Sequence, residues 1–288
     1  MDSSGYANRY DARPVGVFDS GFGGASLLRD ALRLLPDERF IYYGDNKNAP
    51  YGDKSEQEIT SLAKSAADFL MHRGVKALVV ACNTATSAAI KALRTILDVP
   101  VVSVEPAIKP ACMQSGNGKV LMLATEATTK LARYRALQSR MPNPERVINV
   151  GCSGLVERIE KGIVAKDAFD DILFNKLHPY EGMEIDGIVL GCTHFVFIED
   201  AISRYAKSHF SGECRLYNGN AATARQLGRV LASNSIEAPP ICSVAPYTPN
   251  PQPHTPDGIT PIKLERVCFL TSGDWQSAYS IFCRLMGC

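Results

Sequence analysis

"VVACNTATS", residues 79–87, decides the fold. Val79, Val80 and Ala81 form an apolar run of the kind that a strand buried on both faces shows. The run ends at Cys82. Asn83 and Thr84, both good helix-start residues, follow it. The stretch therefore reads as strand, turn and helix. "IVLGCTHFV", residues 188–196, repeats the pattern, with Cys192 where Cys82 stood and Thr193 and His194 behind it. The two cysteines are 192 − 82 = 110 residues apart, about the size of one domain.

The same alternation extends outward from both stretches. "PVGVFDSG" is a strand ending at Asp19, and "ASLLRDALRLL" is its helix, with Leu27, Leu28, Ala31, Leu32 and Leu35 able to share one face. "RFIYYGD" is a second strand ending at Asp45. "SEQEITSLAKSAADFLMHRG" reads as a helix with a capping box at Ser55 and Glu58 and a terminating Gly74. A short strand, "VPVVSVE", follows the Cys82 helix. Beyond it, "KVLMLAT", "RVINVGCSG", "DGIVLGCTH" and "CRLY" are strands separated by helices. Repeated βα units predict parallel sheets with helices on both faces. The 288 residues suffice for two doubly wound α/β domains. The expected division is residues 1–102 with 216–288 as one domain and 103–215 as the other. Ligands of open parallel sheets bind beyond the carboxyl ends of the strands. Asp19, Cys82, Cys152 and Cys192 stand at such ends, so a site between the domains is expected.

Composition narrows the function. The formal net charge of +1 gives no drive toward nucleic acid or an anionic membrane. No stretch approaches the roughly 18 uninterrupted apolar residues of a membrane span. The polar opening "MDSSGYANRYDARP" has no apolar signal core, so a cytoplasmic protein is expected. Nine cysteines, with no Cys-x-x-Cys pair, fit a reducing compartment. Eight of the seventeen prolines fall between Pro239 and Pro261, which reads as a loop-like insertion.

Each motif admits a structural and a chemical reading. A thiol at a helix start is expected to ionise below its free value of about 8.5, but a cysteine there is also a good small hydrophobe. Cys-Thr-His at 192–194 could be a nucleophile with its base, part of a metal site, or packing. A zinc site lacks its second ligand pair, so no metal is expected. "DSGFGG", residues 19–24, lacks the third glycine of a dinucleotide loop, and Asp19 would repel a pyrophosphate. An aspartate beside Cys82 better suits holding an ammonium or orienting a proton, although Asp-Ser is also ordinary turn chemistry. "DNKNAPYG", residues 45–52, reads as a polar loop crossing the strand ends. Two facing thiols suit inversion of a stereocentre, in which one takes a proton from one face and the other delivers one to the opposite face.

Together, Asp-Ser-Gly-x-Gly-Gly, Asp-x-x-x-x-Pro-Tyr-Gly, Ala-Cys-Asn-Thr-Ala and Gly-Cys-Thr-His resemble the glutamate racemases of the cofactor-independent aspartate/glutamate racemase family. The likeness runs from about Val15 to Arg284. It implies two α/β domains with pseudo-twofold symmetry and the active site at their interface. It implies interconversion of L- and D-glutamate without a cofactor, supplying D-glutamate for peptidoglycan, and a homodimer is expected. The resemblance assigns Cys82 to deprotonating D-glutamate and Cys192 to deprotonating L-glutamate. Asp19, Ser20, Tyr51, Gly52, Asn83, Thr84, Thr193 and His194 would contact substrate or support the thiols. Thr125 and Thr128 match a family threonine pair, and Glu160 a glutamate near the second thiol. Ala124, Ser153, Phe195-Val196 and Asn218-Gly219 depart from the family pattern. Other readings are a related racemase, for aspartate or hydantoin, and a non-catalytic dicarboxylate-binding protein. A pyridoxal phosphate enzyme would need a Schiff-base lysine, which no motif nominates.

Overall fold

The computed structural model describes residues 10–113, 116–240 and 266–287. The bulk of the Pro239–Pro261 segment, from 241 on, lies outside the described residues, as do the first nine.

Two parallel sheets carry the chain. Strands β1 (Val15–Asp19), β2 (Phe40–Gly44), β3 (Ala77–Val80), β4 (Val101–Ser103) and β9 (Val267–Thr271) form the first, in the order β4-β3-β1-β2-β9. Strands β5 (Lys119–Ala124), β6 (Val147–Gly151), β7 (Ile185–Leu190) and β8 (Arg215–Tyr217) form the second, in the order β6-β5-β7-β8. Counted within each sheet, the first four strands follow one order, 2-1-3-4, so the two domains repeat one topology. All pairings are parallel, with Val15 opposite both Phe40 and Ala77 in the first sheet and Val120 opposite Val147 and Gly187 in the second. The sheets exchange the chain after β4, which ends at Ser103, and after β8, which ends at Tyr217.

Helices cover both faces of each sheet, which is why all five residues of β1 and all six of β7 are buried. On one face of the first sheet pack α1 (Ala25–Leu34), α10 (Asn220–Ser233) and α11 (Trp275–Met286), through Leu27, Leu28, Leu227, Leu231 and Phe282. On the other pack α2 (Glu56–Met71) and α3 (Asn83–Ile96), through Ile59, Leu70, Ile90 and Leu93. The second sheet is covered on one side by α7 (Leu155–Glu160), α8 (Asp170–Leu177) and α9 (Glu199–His209), and on the other by α4 (Ile108–Met113) and α6 (Ala132–Gln138). Between β5 and α6 lies the short α5 (Glu126–Lys130).

Local signals are realised where the sequence places them. Ser55 caps α2 and Glu58 returns the bond to the Ser55 amide, completing the capping box. Gly74 closes the helix at φ +70°, a conformation costly for any residue with a Cβ. Leu32 and Leu35 are only partly buried, packed at the margin of the α1 core stripe. No helix among the described residues is long and apolar enough to cross a membrane.

Candidate active site

Strand order positions the site. In each sheet the connections from its first and third strands leave in opposite directions, opening a crevice at their carboxyl ends. In the first sheet these ends deliver Asp19, the last residue of β1, with Ser20 behind it, and Cys82 to Thr84 after β3. In the second they deliver Thr125 after β5, and Cys192 to His194 after β7. The two crevices face each other, and polar contacts join them. Thr193 Oγ1 donates to Asp19 Oδ2 at 3.2 Å, the Phe22 amide donates to Glu160 Oε1 at 2.7 Å, and the Thr84 hydroxyl lies 3.0 Å from that of Thr125.

Cys82 is the N-cap of α3, and its Sγ accepts from the Ala85 amide at 3.4 Å. The Ser20 hydroxyl lies 3.4 Å from the same sulfur. The sequence predicts a depressed thiol pKa from this helix-start position, and the structure reverses the sign. Burial pushes the Cys82 thiol up to about 12, the Asp19 carboxylate adds to the rise, and the Ser20 and Ala85 donors only partly oppose it. Removal from water outweighs the helix end. Ser20 is the side chain within hydrogen-bond distance of this thiol, and the Asp19 carboxylate acts on it through its charge. Asp19 itself is fully buried, accepts from the Gly21 amide at 2.8 Å and reaches across to Thr193. Burial raises its pKa, against the opposing influence of His194.

Cys192 opens a 3-10 turn over Thr193–Ile198. Its Sγ lies 3.5 Å from His194 Nδ1, and His194 Nε2 lies 2.5 Å from Glu160 Oε1. Burial alone would lower the His194 pKa. The Cys192 sulfur and the Glu160 carboxylate outweigh it, and the ring rises well above its ordinary value. The two thiols are thus set differently, Cys82 as a reluctant acid and Cys192 beside a cationic imidazole. They are near enough for the charge of Cys192 to raise Cys82.

The Gly-rich turn has a steric purpose. A Cβ on Gly21 would lie 2.2 Å from Glu160 Oε1, and one on Gly23 would lie 2.4 Å from His194 Nδ1 and 2.5 Å from Thr193 Oγ1. The glycines let polar side chains of the second domain approach the first-domain backbone.

At the opposite side of the crevice, the hydroxyls of Thr84, Thr125 and Thr128 form a triangle with edges of 3.0, 3.0 and 2.9 Å. Gly52 presses on Thr125, whose Cβ would lie 3.1 Å from an added Cβ. Tyr51 is buried, but its hydroxyl donates to Asp45 Oδ2 at 2.6 Å, so that oxygen's proton is already placed. Asn83 Oδ1 is buried with no donor among the described residues, an acceptor matched to a ligand N–H.

Every sequence-nominated residue lies at or beside these strand ends. The sequence places Asp45 in a motif and Asn46 in a loop but gives neither a role. Asp45 anchors Tyr51, Asn48 and Ser272, and Asn46 donates to Glu160 Oε2 at 3.0 Å. The signal for Asp45 was available, since it follows β2 as Asp19 ends β1. Among the described residues no group of three or more His, Cys, Asp or Glu side chains is placed to hold a metal ion.

This doubled α/β fold is that of a racemase, and the chain belongs to the Asp/Glu/Hydantoin racemase family, whose pattern it matches over residues 25–227. Among curated relatives, the glutamate racemase of Clostridium perfringens (strain ATCC 13124) is 44% identical over 226 residues, covering 78% of this chain and 85% of that protein. A glutamate racemase from Francisella tularensis subsp. tularensis SCHU S4, solved in complex with D-glutamate, is 26% identical with a TM-score of 0.73, covering 96% of this chain and 95% of that one. The Escherichia coli glutamate racemase, solved with L-glutamate and the activator UDP-MurNAc-Ala, is 36% identical with a TM-score of 0.67, covering 79% and 84%.

Proposed function

We propose that this protein interconverts L- and D-glutamate by two-base proton transfer, with Cys82 and Cys192 on opposite faces of the α-carbon. The observation that carries the reading is the pair of thiols at equivalent strand ends of two domains, each with its own hydrogen-bond partners. In the L-to-D direction the Cys192 thiolate takes the α-proton and becomes the thiol. The electron pair left on the α-carbon spreads into the adjacent carboxylate. The Cys82 thiol then gives its proton to the other face and is left as the thiolate. The reverse direction exchanges the roles.

The protonation pattern of the free site supports this order. Burial keeps the proton on Cys82, while Cys192 has the His194 imidazole, itself held by Glu160, within reach of its sulfur. The substrate ammonium supplies positive charge in the crevice, which favours the thiolate that Cys82 must become. Asp19 and Asn83 Oδ1 are the acceptors suited to that ammonium. The Thr84, Thr125 and Thr128 hydroxyls and the amides at the start of α3 suit the carboxylates.

The product would serve peptidoglycan synthesis in the cytoplasm, and the working form would be a homodimer. Incubation with L-glutamate in D2O is the test. The reading requires deuterium at the α-carbon together with loss of optical rotation, without added cofactor. A dicarboxylate-binding protein would give neither, and an aspartate or hydantoin racemase would turn over its own substrate instead.

A further inference from the structure

Asn46 occupies a place that no motif explains. It follows Asp45 in the first domain, beyond the carboxyl end of β2. Its Nδ2 donates to Glu160 Oε2 at 3.0 Å, across the domain interface. Its Oδ1 accepts from Thr271 Oγ1 at 2.8 Å, and Thr271 Oγ1 in turn accepts from the Gly273 amide at 3.0 Å. Thr271 is the last residue of β9. The amide orientation follows from the carboxylate. Glu160 Oε2 only accepts, so the NH2 end must face it, and Oδ1 is left to take the one proton of Thr271. The backbone makes room for this arrangement, since a Cβ on Gly44 would lie 2.6 Å from Asn46 Oδ1.

Glu160 therefore receives three donors. Oε1 accepts from the Phe22 amide and His194 Nε2, and Oε2 accepts from Asn46. Two of the three belong to the first domain, whereas Glu160 and His194 belong to the second. A carboxylate held by several donors keeps a fixed place, and a fixed carboxylate orients the imidazole bonded to it. The titratable groups facing Glu160 are His194, Asp19 and Tyr42. Lys47, Glu157, Lys161 and Asp274 line the adjoining cleft.

We propose that Asn46 is a positioning residue for the second thiol: its amide, paired with Thr271, holds Glu160 against His194 and so couples the seating of the two domains to the reactivity of Cys192. Asn46 touches no reacting atom and acts through Glu160 and His194. The inference deepens the two-thiol reading and rests on Cys192 and His194 working as a pair.

The test uses Asn46→Asp, which keeps the shape and the acceptor for Thr271 but replaces the donor with an oxygen facing Glu160. Iodoacetamide alkylation of Cys192, resolved from Cys82 by peptide mass spectrometry, is followed against pH without glutamate. Asn46→Asp should slow alkylation near neutral pH on the order of tenfold and move its midpoint upward, as loss of a charge-assisted hydrogen bond requires. Thr271→Val should shift the midpoint in the same direction by less, and it carries the test if Asn46→Asp does not fold. In turnover, Asn46→Asp should lower kcat more than it changes KM for glutamate. An unchanged midpoint in whichever of these variants folds overturns the proposal. Failure of the wild-type protein to racemise glutamate would sink the functional reading separately, because the alkylation midpoints are read without turnover.

Discussion

Gly23 and His194 come from different domains, yet they sit so close that a Cβ on Gly23 would fall 2.4 Å from Nδ1 of the imidazole. That nitrogen is the one facing Cys192 Sγ. Gly23→Ala must therefore displace His194 or spread the domains. Misplacing a reacting group by about 1 Å can cost around 10²-fold. The variant should lose turnover on that scale while its far-UV circular dichroism stays native. Full activity in folded Gly23→Ala would show that the close approach is dispensable.

Removing each thiol should separate the two half-reactions. In D2O, Cys82→Ala should still exchange the α-proton of L-glutamate slowly through Cys192, but it should fail to exchange that of D-glutamate. Cys192→Ala should show the opposite preference. Net racemisation should fall by about 10²–10⁴-fold in both, the usual worth of a positioned proton-transfer group. Proton NMR of each enantiomer reads the exchange directly. Equal exchange of both enantiomers by either variant would contradict one thiol per face.

Cys82 also makes a prediction about stability against pH. Its folded pKa of about 12 lies above the ordinary 9.0. The native state therefore holds a proton that the unfolded chain releases, and the contribution is fully present below pH 9.0 and lost as pH rises toward about 12. The slope from this one group is at most about 1.4 kcal/mol per pH unit. Urea unfolding of wild type and Cys82→Ala across this alkaline range should converge as pH rises, because the variant lacks this source of loss. Parallel curves would place the thiol nearer its free value.

Thr128 is fully buried, and its hydroxyl meets those of Thr84 and Thr125. Thr128→Val keeps the volume and removes the hydroxyl. If the triangle holds a substrate carboxylate, KM should rise on the order of tenfold with a smaller change in kcat, the signature of lost uniform binding. A fall in kcat at unchanged KM would instead tie the triangle to the proton-transfer step.

Much of the architecture was legible in the chain. Unbroken apolar runs such as Val79–Ala81 announce strands buried on both faces, and a capping box such as Ser55 to Glu58 announces a helix, because these signals depend on neighbours a few residues apart. Asp19, Cys82 and Cys192 could be found as strand-end residues by the same local logic. The ionisation of Cys82 could not. A helix start favours the thiolate, and only the packed structure reveals that desolvation and Asp19 overrule it. The side-chain donor to Asp19 proved to be Thr193, 174 residues away in the chain. The use of Gly21 and Gly23 likewise depends on Glu160 and His194 arriving from the other domain. Asn46 reads in sequence as a loop residue, and it gains a role only when β9 and α7, distant in the chain, close around it. Local sequence determined which elements form and where each would end. Which side chains meet across the interface, and which of them keep their protons, was decided by the tertiary structure, since both depend on distances and water exclusion between segments far apart in the chain.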